Sequence, residues 1–100
     1  MLYSADELLK RLKGDFDRFE KIECAGENIK VSLDSLRVGA YVAVQSDMAS
    51  LMETLKAQSF EGRKEVLLKI GAFVAGTSYV SHHANIALRL LKGAVDFALL

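Results

Sequence analysis

Apolar residues recur along most of this chain at steps of three and four, the spacing that lines one face of an α-helix. Leu9, Leu12, Phe16 and Phe19, with Leu8 and Ile22 beside them, predict a first helix from about Ala5 to Ile22. Ser4-Ala5-Asp6-Glu7 has the form of a capping box, in which the serine oxygen takes an early backbone N–H and the glutamate reaches back. Cys24 to Asn28, with Gly26, reads as a turn.

The next stretch carries two signals. Ile29, Val31 and Leu33 alternate with Lys30 and Ser32, and Val38 to Val44 is rich in strand-favouring residues, which together suit a short β-hairpin at 29–44. Against that, Leu36, Ala40, Val44, Met48, Leu51 and Leu55 keep helical steps over twenty residues. The longer periodicity outweighs the shorter one and predicts a helix from about Leu33 to Gln58, capped by Ser32 or Asp34. Ser59-Phe60-Glu61-Gly62 marks a second turn, with Ser59 as the cap.

Beyond it Val66, Ile70, Phe73, Thr77, Val80, Ala84, Ala87, Leu91 and Ala94 form nearly a heptad seam. A single helix over 62–98 would run roughly 55 Å at 1.5 Å per residue. A 100-residue globule measures on the order of 30–35 Å across. The segment therefore either breaks near Gly76-Thr77-Ser78 or is shared with another chain. Residues 66–76 are apolar nearly all round, and such a helix must be surrounded by protein. The reading that follows is an all-α helical bundle of three to four helices, one domain over residues 1–100, completed by homo-oligomerisation. An α+β fold with the hairpin at 29–44 is the alternative. The small residues Ala72, Gly76 and Ala87 allow close approach of a second helix, and with Ile70, Phe73, Val80, His83 and Leu91 they make up the expected oligomer interface.

Composition narrows function mainly by exclusion. Thirteen basic and thirteen acidic residues leave no net charge, so the positive surplus that nucleic-acid or anionic-membrane binding needs is missing. A DNA-binding regulator would have to assemble its patch from Lys10, Arg11, Lys13 and Arg18 among interspersed acids. Charge falls from thirteen residues in 1–30 to four in 66–100. Ile70 to Leu88 has no charged side chain, yet Ser78, Ser81, His82, His83 and Asn85 make a lipid-facing span costly, and burial against protein is expected instead. The start of the chain lacks the basic and apolar regions of a signal peptide, and the lone Cys24 suits a reducing compartment, so a cytoplasmic protein is expected. Cys24 itself reads as a small half-buried apolar residue.

His82-His83 is the one pair with chemical promise. Adjacent helical positions point about 100° apart, so the two imidazoles cannot chelate one metal from a regular helix. Across a two-fold axis, His83 could meet its symmetry mate, giving a metal or haem site or a pH switch. No His-Glu-x-x-His, Glu-x-x-His or Cys-x-x-Cys supplies further ligands, and a hydrogen-bonded structural histidine is the plainer reading. Glu65 and Lys69 form an i,i+4 pair. Asp15, Asp17, Glu20 and Glu23, alternating with Arg18 and Lys21, look like a solvated helix face. Met48, Met52, Tyr41 and Tyr79 read as packing residues, and the apolar end Phe97 to Leu100 as a segment that docks on its own bundle or on a partner. Glu53 and Asp47, six apart, do not face together well enough for acid–base work, and no nucleophile elbow or phosphate loop is present. The expected function is a non-enzymatic interaction or assembly module without cofactor, with itself or another helical protein as partner. A metal- or small-ligand-binding bundle using His83 and His82 is the alternative.

Overall fold

The computed structural model describes residues 3–25 and 30–100, and the side chains of all of these except 30–34. Among these described residues there are four helices: α1 (Ala5–Glu23), α2 (Lys30–Lys56), α3 (Phe60–Ala75) and α4 (His82–Leu99). The fold is an all-α helical bundle, and among the described residues there is no strand. The hairpin alternative fails because residues 30–44 are helical; Ile29 and the turn residues Gly26 to Asn28 lie outside the described residues. Long-range periodicity prevails over a three-residue alternation because the helix buries Ala40, Val44, Leu51 and Leu55 in one row.

α1 packs chiefly on α2 and α3 chiefly on α4, while α1 also touches both α3 and α4. α2 and α4 meet only at isolated points. The Cα extents are 48 × 30 × 16 Å, and the shortest matches two helix layers at the usual 8–10 Å spacing. All four helices contribute to one apolar cluster, with Leu12, Phe16 and Phe19 of α1 against Val44, Leu51, Ile70, Leu91 and Val95. No helix among the described residues is long and apolar enough to cross a membrane.

The caps follow the sequence. Ser4 is extended and its Oγ accepts the Glu7 N–H at 3.2 Å, while its hydroxyl donates to Glu7 Oε1 at 3.1 Å. Ser59 Oγ likewise accepts the Gly62 N–H at 3.2 Å, so α3 starts at Phe60, two residues ahead of the expected 62.

The long C-terminal periodicity is broken between Gly76 and Ser81. Gly76 closes α3 with its N–H on the Ala72 carbonyl at 3.0 Å, and Ser81 begins α4 in an extended conformation. This break divides the eight positions expected to form one oligomer face. Ile70 and Leu91 are fully buried in the chain's own core, as is most of Ala87. Phe73 is half-buried, 5.9 Å from the Phe16 ring. Ala72, Gly76, Val80 and His83 are exposed, and a Cβ on Gly76 would meet only its own helix's Ala72 carbonyl, at 3.3 Å. Gly76 is therefore a helix terminator and not a point of close helix approach. Residues 66–76 bury Val66, Leu67, Ile70 and Val74 internally but leave Leu68, Ala72 and Ala75 to solvent.

Candidate interaction site

Once α4 is a separate helix, its apolar residues fall into two rows. Ala84, Ala87, Leu88, Leu91 and Val95 face the core. Ile86, Leu90, Ala94 and Phe97, again spaced by four, four and three, are exposed, with Leu90 at 62% and Phe97 at 80%. Single exposed leucines are ordinary on a protein surface, whereas a helical row of them is a docking pattern. The row borders the open seam between α2 and α4. One recess of about 270 Å³ in that seam is lined by Tyr41, Gln45, Met48, Ala87 and Leu90. A second, of about 200 Å³, is lined by Phe19, Arg37, Val38, Tyr41 and His83. Tyr41 joins them: its ring lies 5.7 Å from Phe19 and its hydroxyl accepts from Gln45 Nε2 at 2.7 Å. Val38 and Val42 extend the apolar surface along α2.

The seam's geometry depends on a clasp between α1 and the start of α4. Ser81 has no side-chain cap bond of its own. Instead Glu20 of α1 accepts the Val80 N–H at 2.7 Å and the Ser81 N–H at 2.8 Å, and Glu23 accepts the Ala84 N–H at 3.1 Å. Two carboxylates from another helix thus take three backbone N–H groups at or just before the positive end of α4, that of Ala84 within its first turn. Desolvation pushes the Glu20 carboxyl up, but hydrogen bonds from Ser81, Val80 and Cys24 together outweigh it, and its pKa lies below the ordinary glutamate value. Tyr79 stacks on Phe16 at 5.6 Å and its hydroxyl donates to Asp17 Oδ1 at 3.1 Å. Burial and the Asp17 charge hold that hydroxyl far above its usual range, so it remains a donor. The acidic row of α1 is therefore not merely solvated: Asp17, Glu20 and Glu23 hold the α3–α4 connection.

His83 belongs to this clasp. Its Nδ1 lies 2.8 Å from Glu23 Oε2, a carboxylate whose side chain is 8% exposed, so Nδ1 carries the proton and donates. The His82 ring stands edge-on to it at 5.4 Å. Among the described residues no group of three or more His, Cys, Asp or Glu side chains is placed to hold a metal ion. Cys24 is exposed, contrary to its reading as a half-buried residue, and its thiol donates to Glu20 Oε1 at 3.4 Å. That bond, with desolvation and the nearby Glu20 and Glu23 charges, raises the thiol pKa. Glu65 pairs with Lys69 at 3.6 Å, and Lys69 also reaches Asp6 at 3.2 Å, well away from His83.

Asp47 is the one buried charged residue among those described, and sequence reasoning missed it. It sits between α1 and α2 with Arg11 Nε at 3.5 Å and Asp15 beside it. Burial, then the hydrogen bond and charge of Asp47, push the Asp15 carboxyl up to about 6 against the pull of Arg11 and Arg18. Asp15 Oδ2 is buried and has no hydrogen-bond partner among the described residues.

No family model matches the chain, and neither a curated protein nor a solved structure matches it.

Proposed function

We propose that this chain is a helical interaction and assembly module of the cytoplasm, non-enzymatic, which lays an apolar helix face against the α2–α4 seam, with a second copy of itself as partner. The observation that carries the reading is the second apolar row on α4, Ile86, Leu90, Ala94 and Phe97, beside a seam that the chain's own helices leave open. Amphipathic helices dock through anchors at such spacing, and a two-fold pairing would place the α4 row of each copy in the other's seam. The zero net charge sets no long-range repulsion against self-association. Light scattering tests it. The wild-type chain at micromolar concentration should have about twice the 11.0 kDa monomer mass, and Leu90→Glu should return it to the monomer with unchanged helicity. A wild-type monomer, or a Leu90→Glu dimer, overturns the reading.

A further inference from the structure

At the end of the molecule away from the clasp, the close of α2, the start of α3 and the last turn of α4 enclose a cleft of about 520 Å³. Its floor is Leu55 and Leu67, both buried, and one wall is the exposed ring of Phe97. Among the described residues its polar side chains are three cations, Lys56, Arg63 and Lys64. Neither an acidic nor a neutral polar side chain lines it. Lys56 has a loose, fully solvated pairing with Glu53 at 3.6 Å, and Arg63 and Lys64 have no ion-pair partner among the described residues. In a chain of zero net charge, this is a local positive excess around an apolar hollow.

We infer that the cleft binds a single-chain amphiphile with an anionic head, of the fatty-acid class. Its volume falls within the range of small-molecule sites, roughly 300–1,000 Å³. Its polar side chains are donors only, so the O–H and N–H groups of a sugar, a base or an amide would find no side-chain acceptor there. The apolar lining complements a hydrocarbon chain, and the rim cations complement a carboxylate. The guanidinium of Arg63 can take that carboxylate in two parallel hydrogen bonds, with Lys64 and Lys56 as neighbouring point charges. The cleft shares Phe97 with the exposed α4 row but not Leu90, so Leu90→Glu separates this site from the seam reading.

Calorimetric titration with decanoate below its micelle concentration tests the assignment, against octanoate and decanol as controls. Decanoate should bind one per chain. Octanoate, shorter by two methylenes, should bind about 15-fold more weakly, since each buried methylene is worth about fourfold. Decanol should bind about tenfold more weakly than decanoate, as the charge-assisted contact is lost. Arg63→Gln with Lys64→Gln should weaken decanoate about tenfold and leave decanol unchanged, and Leu90→Glu should leave decanoate binding intact. The inference fails if decanol equals decanoate, if several decanoates bind per chain, or if the double variant binds like wild type. Loss of binding in Leu90→Glu would also overturn it as a single-chain site, as would co-sedimentation with phosphatidylglycerol vesicles without saturable decanoate binding.

Discussion

Replacing Glu20 by Gln removes the charge from the clasp while keeping its size. In the wild type this carboxylate takes two backbone N–H groups at 2.7 and 2.8 Å, at the positive end of a helix that lacks its own side-chain cap. Hydrogen bonds to a charged group contribute about 1.5–3 kcal/mol each, and a carboxylate at a helix N-terminus adds about 0.3–1 kcal/mol. Solvent reaches this side chain, which roughly halves that sum, and the Gln oxygen keeps one neutral bond worth about 1 kcal/mol. The net cost is about 2 kcal/mol, a large share of the 5–15 kcal/mol typical of a domain. In urea the midpoint should fall by about 1 M, and in a thermal scan by about 8–16 °C. The loss should depend on pH in one direction. The Glu20 pKa is held below 4.5, so its stabilisation is complete above that value and disappears as pH falls through the folded pKa. Urea titrations at neutral pH and at successive acid values would read this directly. A gap under about 0.5 kcal/mol at neutral pH, or one that persists unchanged well below pH 4.5 in folded protein, refutes the assignment of the clasp.

Adjacent residues of α4 should respond oppositely: Leu91→Ala, in the core, should cost about 2–5 kcal/mol, and Leu90→Ala about 0.5 kcal/mol or less in the monomer, both read by denaturant unfolding. Asp15→Asn should stabilise the protein at pH 7. The folded pKa of about 6 lies above the ordinary 3.8, so the ionised carboxyl opposes folding above pH 6 and this penalty is gone below pH 3.8. Discounted for solvent access, the gain should be about 1 kcal/mol at pH 7 and should shrink to nothing as pH falls through that window. Equal stabilisation at both ends of the window would contradict the buried-carboxylate argument. Cys24 should react slowly with thiol reagents near neutral pH and faster after Glu20→Gln, which lifts the hydrogen bond and charge that raise its pKa.

What the sequence made legible was local. The first helix and its Ser4–Glu7 cap depend on residues within four positions of one another, and both were predicted. α2 was predicted because a row over twenty residues outweighs three alternating ones, though it begins at Lys30 and not Leu33. The break at Gly76 was one of two options, since spacings of three and four can continue across two helices with a gap between them. The interactions that favour it come from Glu20 and Glu23, about sixty positions away, and local pattern carries no trace of them. The carboxylates themselves gave a signal: Asp17, Glu20 and Glu23 fall at intervals of three, close to the buried Phe16 and Phe19. Their alternation with Arg18 and Lys21 masked it. The exposed α4 row is only partly legible, with Ala94 assigned to the seam and Phe97 to the apolar end, because its members lie one or a few positions from the stronger Ala84–Ala87–Leu91 row and a single continuous seam absorbs the pattern.

The clasp has a bearing on how the chain comes together. An isolated eighteen-residue helix is marginal in water, and α4 begins with donors that only α1 answers. Its first turn cannot persist until a stretch made much earlier in synthesis has folded and returned to meet it, which requires closing a loop of about sixty residues. Amide hydrogens of Val80, Ser81 and Ala84 should accordingly exchange more slowly than those of ordinary fraying helix ends, and faster once Glu20 is replaced by Gln. The last quarter of the protein thus draws part of its stability from the first, across a long loop that folding has to close.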